Sequence, residues 1–226
     1  MMNEKDKDQK SLKVWDLPVR LFHWCLVGLV CLSVYTGLTG GLTEMDLHIK
    51  SGVAILSLVV FRIVWGAVGG THARFGDFVK GPRVVVGHIR EELLGGSPSR
   101  SMGHNPLGGW MVILLLAVLL FLAGTGLFAS DDIFTEGPLA AKVAKATSDR
   151  LTTFHHWAGN LLFGLVGLHV LAVFGYLLLK KENLIRPMVT GKKTAQGEAR
   201  EGRYGSSLLA LILWGAIAGL LAWWLF

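Results

Sequence analysis

A chain of 226 residues that is 52% hydrophobic and only 17% charged, with mean hydropathy +0.50, is too apolar for a soluble domain of its length. It reads as a membrane protein. The net charge of +6 then signals topology and contact with anionic lipid, and argues against nucleic-acid binding.

The chain opens with MMNEKDKDQKSLK, a charged tail with no apolar core and no small-residue cleavage site. The first apolar run is therefore expected to be kept as a helix, not removed as a signal peptide. Runs long enough to cross a bilayer, which takes about 20 residues, extend roughly over Leu17–Leu38, Leu47–Gly66, Gly108–Phe128, Thr153–Leu179 and Ser207–Phe226. Five spanning helices are expected. Between the second and third, GPRVVVGHIREELLGGSPSR places Val84, Val85, Val86, Ile89, Leu93 and Leu94 in a pattern that suits either a short interfacial helix or a plain connection. No Pro-rich linker, low-complexity tract or internal repeat is apparent, so a second soluble domain is not expected.

Seventeen of the 22 Lys and Arg residues fall in the tail up to Arg20, in Gly70–Asn105 and in Lys180–Arg203. Lys50, Lys142, Lys145 and Arg150 lie on the other side, and Arg62 lies inside the second run. By the positive-inside rule the N-terminus is cytoplasmic and the C-terminus is outside, in the periplasm of a cell inner membrane.

The histidines carry the chemistry. His155 and His169 are fourteen residues apart, close to four turns, so they share one helix face at two depths about 21 Å apart. His48 enters the second run at the outer surface and His23 lies early in the first, on the cytoplasmic side. His48 with His155, and His23 with His169, form two layers. Such pairs suit two six-coordinate haems, each iron held between helices by neutral imidazoles, and the expected fold is an all-α integral membrane four-helix haem-binding bundle plus a fifth transmembrane helix.

Gly52 and Gly159, each four residues after a histidine, clear the same face for a flat macrocycle, with Gly28, Gly164 and Gly167 as further small positions. Arg62, fourteen residues after His48, has a haem propionate as its candidate partner, with snorkelling to the surface as the alternative. Arg20, three residues before His23, is a second candidate.

Other polar features receive plainer readings. His156 is turned away from His155 and is assigned a hydrogen-bond or surface role, while His72, His88 and His104 are expected to be solvated. The eight Trp residues, including Trp223 and Trp224, read as interfacial and lipid contacts. Cys25 and Cys31 share the first run, which argues against a structural disulfide, and the absence of C-x-x-C-H excludes covalent c-type haem. No nucleophile–base pair, P-loop or dinucleotide fingerprint is present. The expected catalytic set is empty.

The segments VWDLPVRLFHW, HIKSG, RIVWGAVGGTHARFGDFVKGP, GHNPLGGWMV, HHWAGNLLFGLVGLHV and NLIRPMVTGKK resemble the prokaryotic cytochrome b561 family, which includes the cytochrome b subunits of nickel-iron hydrogenases. The resemblance runs from about Val14 to Lys193. It implies a four-helix core with two non-covalent haem b groups, whose ligand positions match His23, His48, His155 and His169. It also implies one-electron traffic between the quinone pool of a respiratory chain and a dehydrogenase, hydrogenase or cytochrome c partner. The fifth helix and the doubled His155 and His156 depart from the pattern.

The expected organisation is a cytoplasmic tail over 1–13, the di-haem membrane domain over 14–193, a cytoplasmic linker over 194–206 and the extra helix over 207–226. Outer acids Glu44, Asp46, Asp131, Asp132, Glu136 and Asp149 suggest docking of a basic redox partner by charge. Two alternatives compete with the electron carrier. A stand-alone quinone-dependent oxidoreductase for a small substrate such as superoxide would turn over without a partner, and a haem-free membrane anchor would purify colourless.

Overall fold

The structure, a computed structural model, describes residues 9–94, 103–196 and 202–226. The first eight residues of the tail, the end of the segment after α4 and the middle of the linker lie outside the described residues. Five long helices match the expected spans: α1 (Leu17–Thr39), α2 (Leu42–Val68), α5 (Pro106–Gly126), α6 (Lys145–Leu179) and α8 (Ser207–Leu225). They make the chain a multi-pass helical membrane protein. α2 and α6 begin five and eight residues before the apolar runs do, because polar first turns continue each helix outward. In α6 that turn is held by Lys145, which bonds both Asp149 and Asp132 at 2.5 Å.

Short elements fill the connections: α3 (Phe75–Phe78), α4 (Pro82–Leu93), α7 (Ile185–Thr190), and the antiparallel strands β1 (Gln9–Lys13) and β2 (Lys192–Gln196), with Gln9 opposite Gln196 and Lys13 opposite Lys192. The segment left open between helix and loop is helical over Pro82–Leu93. Proline at its first position fits the missing N–H there.

The chain divides into two compact units. The first comprises residues 1–20, 64–113 and 169–210. At its centre Trp65 is fully buried, and its indole N–H donates to Asp16 Oδ2 at 3.2 Å. Asp16 is itself buried and caps α1, accepting the Val19 amide at 3.0 Å through Oδ1. Gly70 and Gly205 let the segment after the linker lie directly on this centre. A Cβ at Gly205 would stand 2.3 Å from the Trp65 ring, and one at Gly70 would stand 2.8 Å from the Arg203 carbonyl.

Asn105 starts α5 by accepting the Gly108 amide at 2.6 Å, with Pro106 following, and its side-chain amide donates to the Tyr176 hydroxyl at 2.6 Å. Tyr176 in turn donates to Glu92 at 3.2 Å, and Lys180 pairs with the same carboxylate. Burial pushes the Glu92 carboxyl up, but the Lys180 hydrogen bond and charge, then Tyr176 and His88, bring it below the ordinary carboxylate value.

The second unit comprises residues 21–63, 114–168 and 211–226. Here Val53, Leu139 and Leu225 form a buried cluster with Leu127, Phe128 and Leu221 against it. The Trp214 indole donates to the Ser57 hydroxyl at 3.3 Å, so the fifth helix packs on α2. Between α5 and α6, Asp131 Oδ1 accepts the amides of Ile133, Phe134 and Thr135 at 2.8 to 2.9 Å. These backbone donors hold its carboxyl at about 2.

Two outcomes follow. Asp16→Ala removes a helix cap and the partner of a buried indole, and is expected to cost about 2–4 kcal/mol, read as an earlier thermal unfolding midpoint in detergent, with Asp16→Asn intermediate. Because the Asp131 carboxyl is depressed, the turn's hydrogen bonds are fully present above its unfolded value near 3.8 and are lost as pH falls through about 2. Amide exchange at residues 133–135 should therefore stay slowed at pH 5 in the parent, while Asp131→Ala exchanges freely there.

Candidate functional site

A polar ring inside an apolar bundle must find a partner for each ring nitrogen, because no water is at hand to supply one. In the second unit two imidazoles meet that demand in the same way. His48 on α2 places Nδ1 2.8 Å from the Ser33 carbonyl of α1, and His155 on α6 places Nδ1 2.9 Å from the Leu122 carbonyl of α5. A carbonyl only accepts, so Nδ1 carries the proton in both rings. Each Nε2 is left with its lone pair, the form a metal takes. The Ser33 hydroxyl lies 3.4 Å from His48 Nδ1 as a weaker neighbour.

The rings lie with centroids 6.0 Å apart and planes at 81°. Two imidazoles on one iron, with metal–nitrogen bonds of about 2 Å, have centroids about 6 Å apart. The pair fits an iron held between α2 and α6.

Glycines shape both sides of this pair. A Cβ at Gly37 would stand 2.9 Å from His48 Cε1 and Nδ1, and one at Gly126 would stand 2.9 Å from His155 Cε1 and 3.0 Å from its Nδ1. Each imidazole thus rests directly on the backbone of the preceding helix, and any side chain there would push it away. Gly52 and Gly159, together with Gly28, Gly164 and Gly167, have the opposite surroundings: a Cβ at any of them meets nothing within 4 Å. The same open surroundings occur at Gly124, Gly175, Gly215 and Gly219, so they are compatible with a flat macrocycle without being particular to it. With the donor tautomer, spacing and open glycine faces together, the residues fit a bis-imidazole haem.

His156 also lies near His155, at 6.1 Å and 82°. Distance alone does not separate the two rivals. Exposure does, since His156 is exposed and its imidazole has no hydrogen-bond partner among the described residues, whereas His155 is held by Leu122.

The other predicted residues are placed as follows. His23 is half-buried on α1 in the second unit, edge-on to Trp24 at 4.9 Å, and His169 is half-buried on α6 in the first. Arg62 on α2 is 2% exposed. Arg20 lies against Gly191, where a Cβ would stand 2.5 Å from its Nη1. Gly191 takes φ +78° at the end of α7, a conformation that also favours glycine.

Three expectations are corrected. His72, His88 and His104 are not solvated: His88 is buried, His72 bonds Asp77 at 3.0 Å, and His104 packs between Trp15 at 4.6 Å and Phe78 at 4.7 Å. The connection that carries them folds onto the first unit instead of trailing in solvent. Trp15 and Trp65 are core residues and not lipid contacts, although Trp223 and Trp224 are exposed as expected. The chain also carries a local repeat. Thr36-Gly37-Leu38 precedes His48 and Gly52, and Thr125-Gly126-Leu127 precedes His155 and Gly159, with matching contacts in the two copies.

Comparison with known proteins places the chain in a family. A family model for prokaryotic cytochrome b561 matches residues 14–191. The chain is 25% identical over 225 residues to a protein of Rhizobium leguminosarum bv. viciae named as a probable Ni/Fe-hydrogenase B-type cytochrome subunit, covering 84% of this chain and 92% of that protein. A Rhodobacter capsulatus protein of the same name is 25% identical over 242 residues, covering 88% and 87%. The probable Ni/Fe-hydrogenase 1 B-type cytochrome subunit of Escherichia coli K12 is 24% identical over 224 residues, covering 85% and 95%. The match takes in α1, α2, α5 and α6, the helices that build the histidine pair and its carbonyl acceptors, and the chain belongs to the prokaryotic cytochrome b561 family.

Proposed function

We propose that this chain is a di-haem b-type cytochrome subunit that carries single electrons across the cytoplasmic membrane between a hydrogenase-type partner and the quinone pool. The observation that carries the reading is the His48–His155 pair, with both Nδ1 protons given to carbonyls and both Nε2 atoms left for a metal. His23 and His169 are the proposed ligands of the second group on sequence grounds, from the fourteen-residue interval between His155 and His169. When bound, each haem supplies a one-electron ferric/ferrous couple. The protein's own part is to fix the ligands, bury them and tune them by hydrogen bonds and nearby charge.

Arg62 is the candidate propionate partner, since a buried guanidinium on α2 is stabilised by an anion. Arg20 is a weaker candidate because it packs against Gly191. The hydrogenase partner is supported by the names of the relatives, and quinone exchange rests on the sequence resemblance alone. The tail over 1–13, the domain over 14–193, the linker over 194–206 and the added helix over 207–226 remain the proposed organisation, with the cation bias favouring a cytoplasmic N-terminus and a periplasmic C-terminus.

A basic partner would meet the acids of the second unit. Asp46 is paired with Lys50 at 2.7 Å, Asp132 and Asp149 share Lys145, and Asp131 is taken up by the amides of its own turn, which leaves Glu44 and Glu136 as the better docking charges.

Two results test the proposal. Alkaline pyridine haemochrome spectroscopy should give two haem b per chain in the purified parent, one in His48→Ala or His155→Ala, and two in His156→Ala; a colourless parent favours the anchor. Reversing Glu44 and Glu136 to Lys should slow electron delivery by the partner about tenfold at low salt and less at high salt. Delivery that is unchanged across salt concentrations sinks the docking surface.

A further inference from the structure

The repeat contains a residue that the histidine pair alone does not explain. Thr36 and Thr125 are both buried, at 1% and 5% exposure, and each immediately precedes the glycine on which an imidazole rests. The Thr36 hydroxyl donates to the Leu32 carbonyl at 2.8 Å and to the Ser33 carbonyl at 3.2 Å. The Thr125 hydroxyl donates to the Phe121 carbonyl at 2.9 Å and to the Leu122 carbonyl at 3.0 Å. Ser33 and Leu122 are the two residues whose carbonyls accept the histidine protons.

A threonine inside an apolar helix commonly donates to the carbonyl four residues back, and that habit accounts for Leu32 and Phe121. The same habit lets the single hydroxyl proton be shared with the carbonyl three residues back, and in both copies that oxygen is the one the imidazole uses. A carbonyl oxygen has two lone pairs. In regular helices the amides of Gly37 and Gly126 also donate to these oxygens, so hydroxyl, amide and imidazole compete.

We infer that Thr36 and Thr125 are positioning residues for His48 and His155: each hydroxyl shares the carbonyl that takes the imidazole proton and so limits how strongly that proton is drawn away. The inference rests on the proposed haem at this pair. A stronger hydrogen bond from Nδ1–H to the carbonyl makes the imidazole a more basic ligand, and a more basic ligand favours ferric over ferrous iron. The two hydroxyls therefore keep the couple more easily reduced than the bare histidine–carbonyl geometry would. The Ser33 hydroxyl, 3.4 Å from His48 Nδ1, has no counterpart at Leu122, so Thr125 acts on the simpler of the two acceptors and its single variant gives the cleaner reading.

The test is optical redox titration of the purified haem-loaded protein carrying Thr36→Val, Thr125→Val, both together, or Thr→Ser at each position. Valine keeps the shape and removes the hydroxyl, while serine keeps the hydroxyl. The expected result is that one of the two haems becomes harder to reduce. Its ferric-to-ferrous ratio at a fixed applied potential should rise roughly three- to tenfold in the double valine variant, at most about 59 mV by the one-electron constant. The second haem should hold its potential, and serine should restore the first. An unchanged titration in the valine variants, a shift that serine does not restore, or an equal shift of both haems overturns the inference.

A second readout needs no haem. In haem-free protein with 15N-labelled histidine, the Nδ1 resonances of His48 and His155 should move towards a stronger hydrogen bond on Thr→Val. If His48→Ala retains full haem, the haem reading of this pair fails, yet the imidazole resonances still decide whether the threonines act: movement sustains the positioning role and identical resonances refute it.

Discussion

Two backbone carbonyls that accept imidazole protons within a membrane-spanning bundle organise the second unit. In lipid an unpaired N–H costs several kcal/mol, so a histidine placed there must find an acceptor or lose its position. Most helix carbonyls are already used by the amide four residues on, and a side chain normally screens them. Ser33 and Leu122 are reachable because Gly37 and Gly126 remove that screen one turn later. From this arrangement follow the tautomer and the lone pair left on each Nε2. At Gly52 and Gly159 a Cβ would meet nothing within 4 Å.

The first unit obeys the same constraint with different residues. Asp16 gives one carboxylate oxygen to a helix start and the other to the buried Trp65 indole, so neither polar group is left alone. Asn105 divides itself similarly between the start of α5 and Tyr176. The segments WDLP and HNPL are in physical terms helix caps whose spare atoms reach across to another helix.

Hydropathy made the five spans legible, and histidine spacing made the ligand candidates legible, since both depend on properties that a helix repeats. The beginnings of α2 and α6 were less legible because their first turns are polar and are held by pairs such as Lys145 with Asp149. The burial of His88, His104, Trp15 and Trp65 was not legible at all. It depends on the connection after α2 folding back on the first unit, a tertiary choice without a periodic signal. The repeat is hidden for a different reason: Gly37 is eleven residues before His48 whereas Gly126 is twenty-nine before His155, because the second loop is longer. Equal geometry came from unequal spacing, and only the hydrogen bonds reveal it.

The most direct measurement is low-temperature electron paramagnetic resonance of the oxidised protein, compared with His48→Ala. Rings held at 81° to one another on a single iron give a highly anisotropic low-spin ferric signal. The account predicts such a signal in the parent and the loss of that component in the variant, where the haem proposed at His23 and His169 keeps a signal of its own. A high-spin spectrum in the parent, or survival of that component unchanged after the loss of His48, contradicts it.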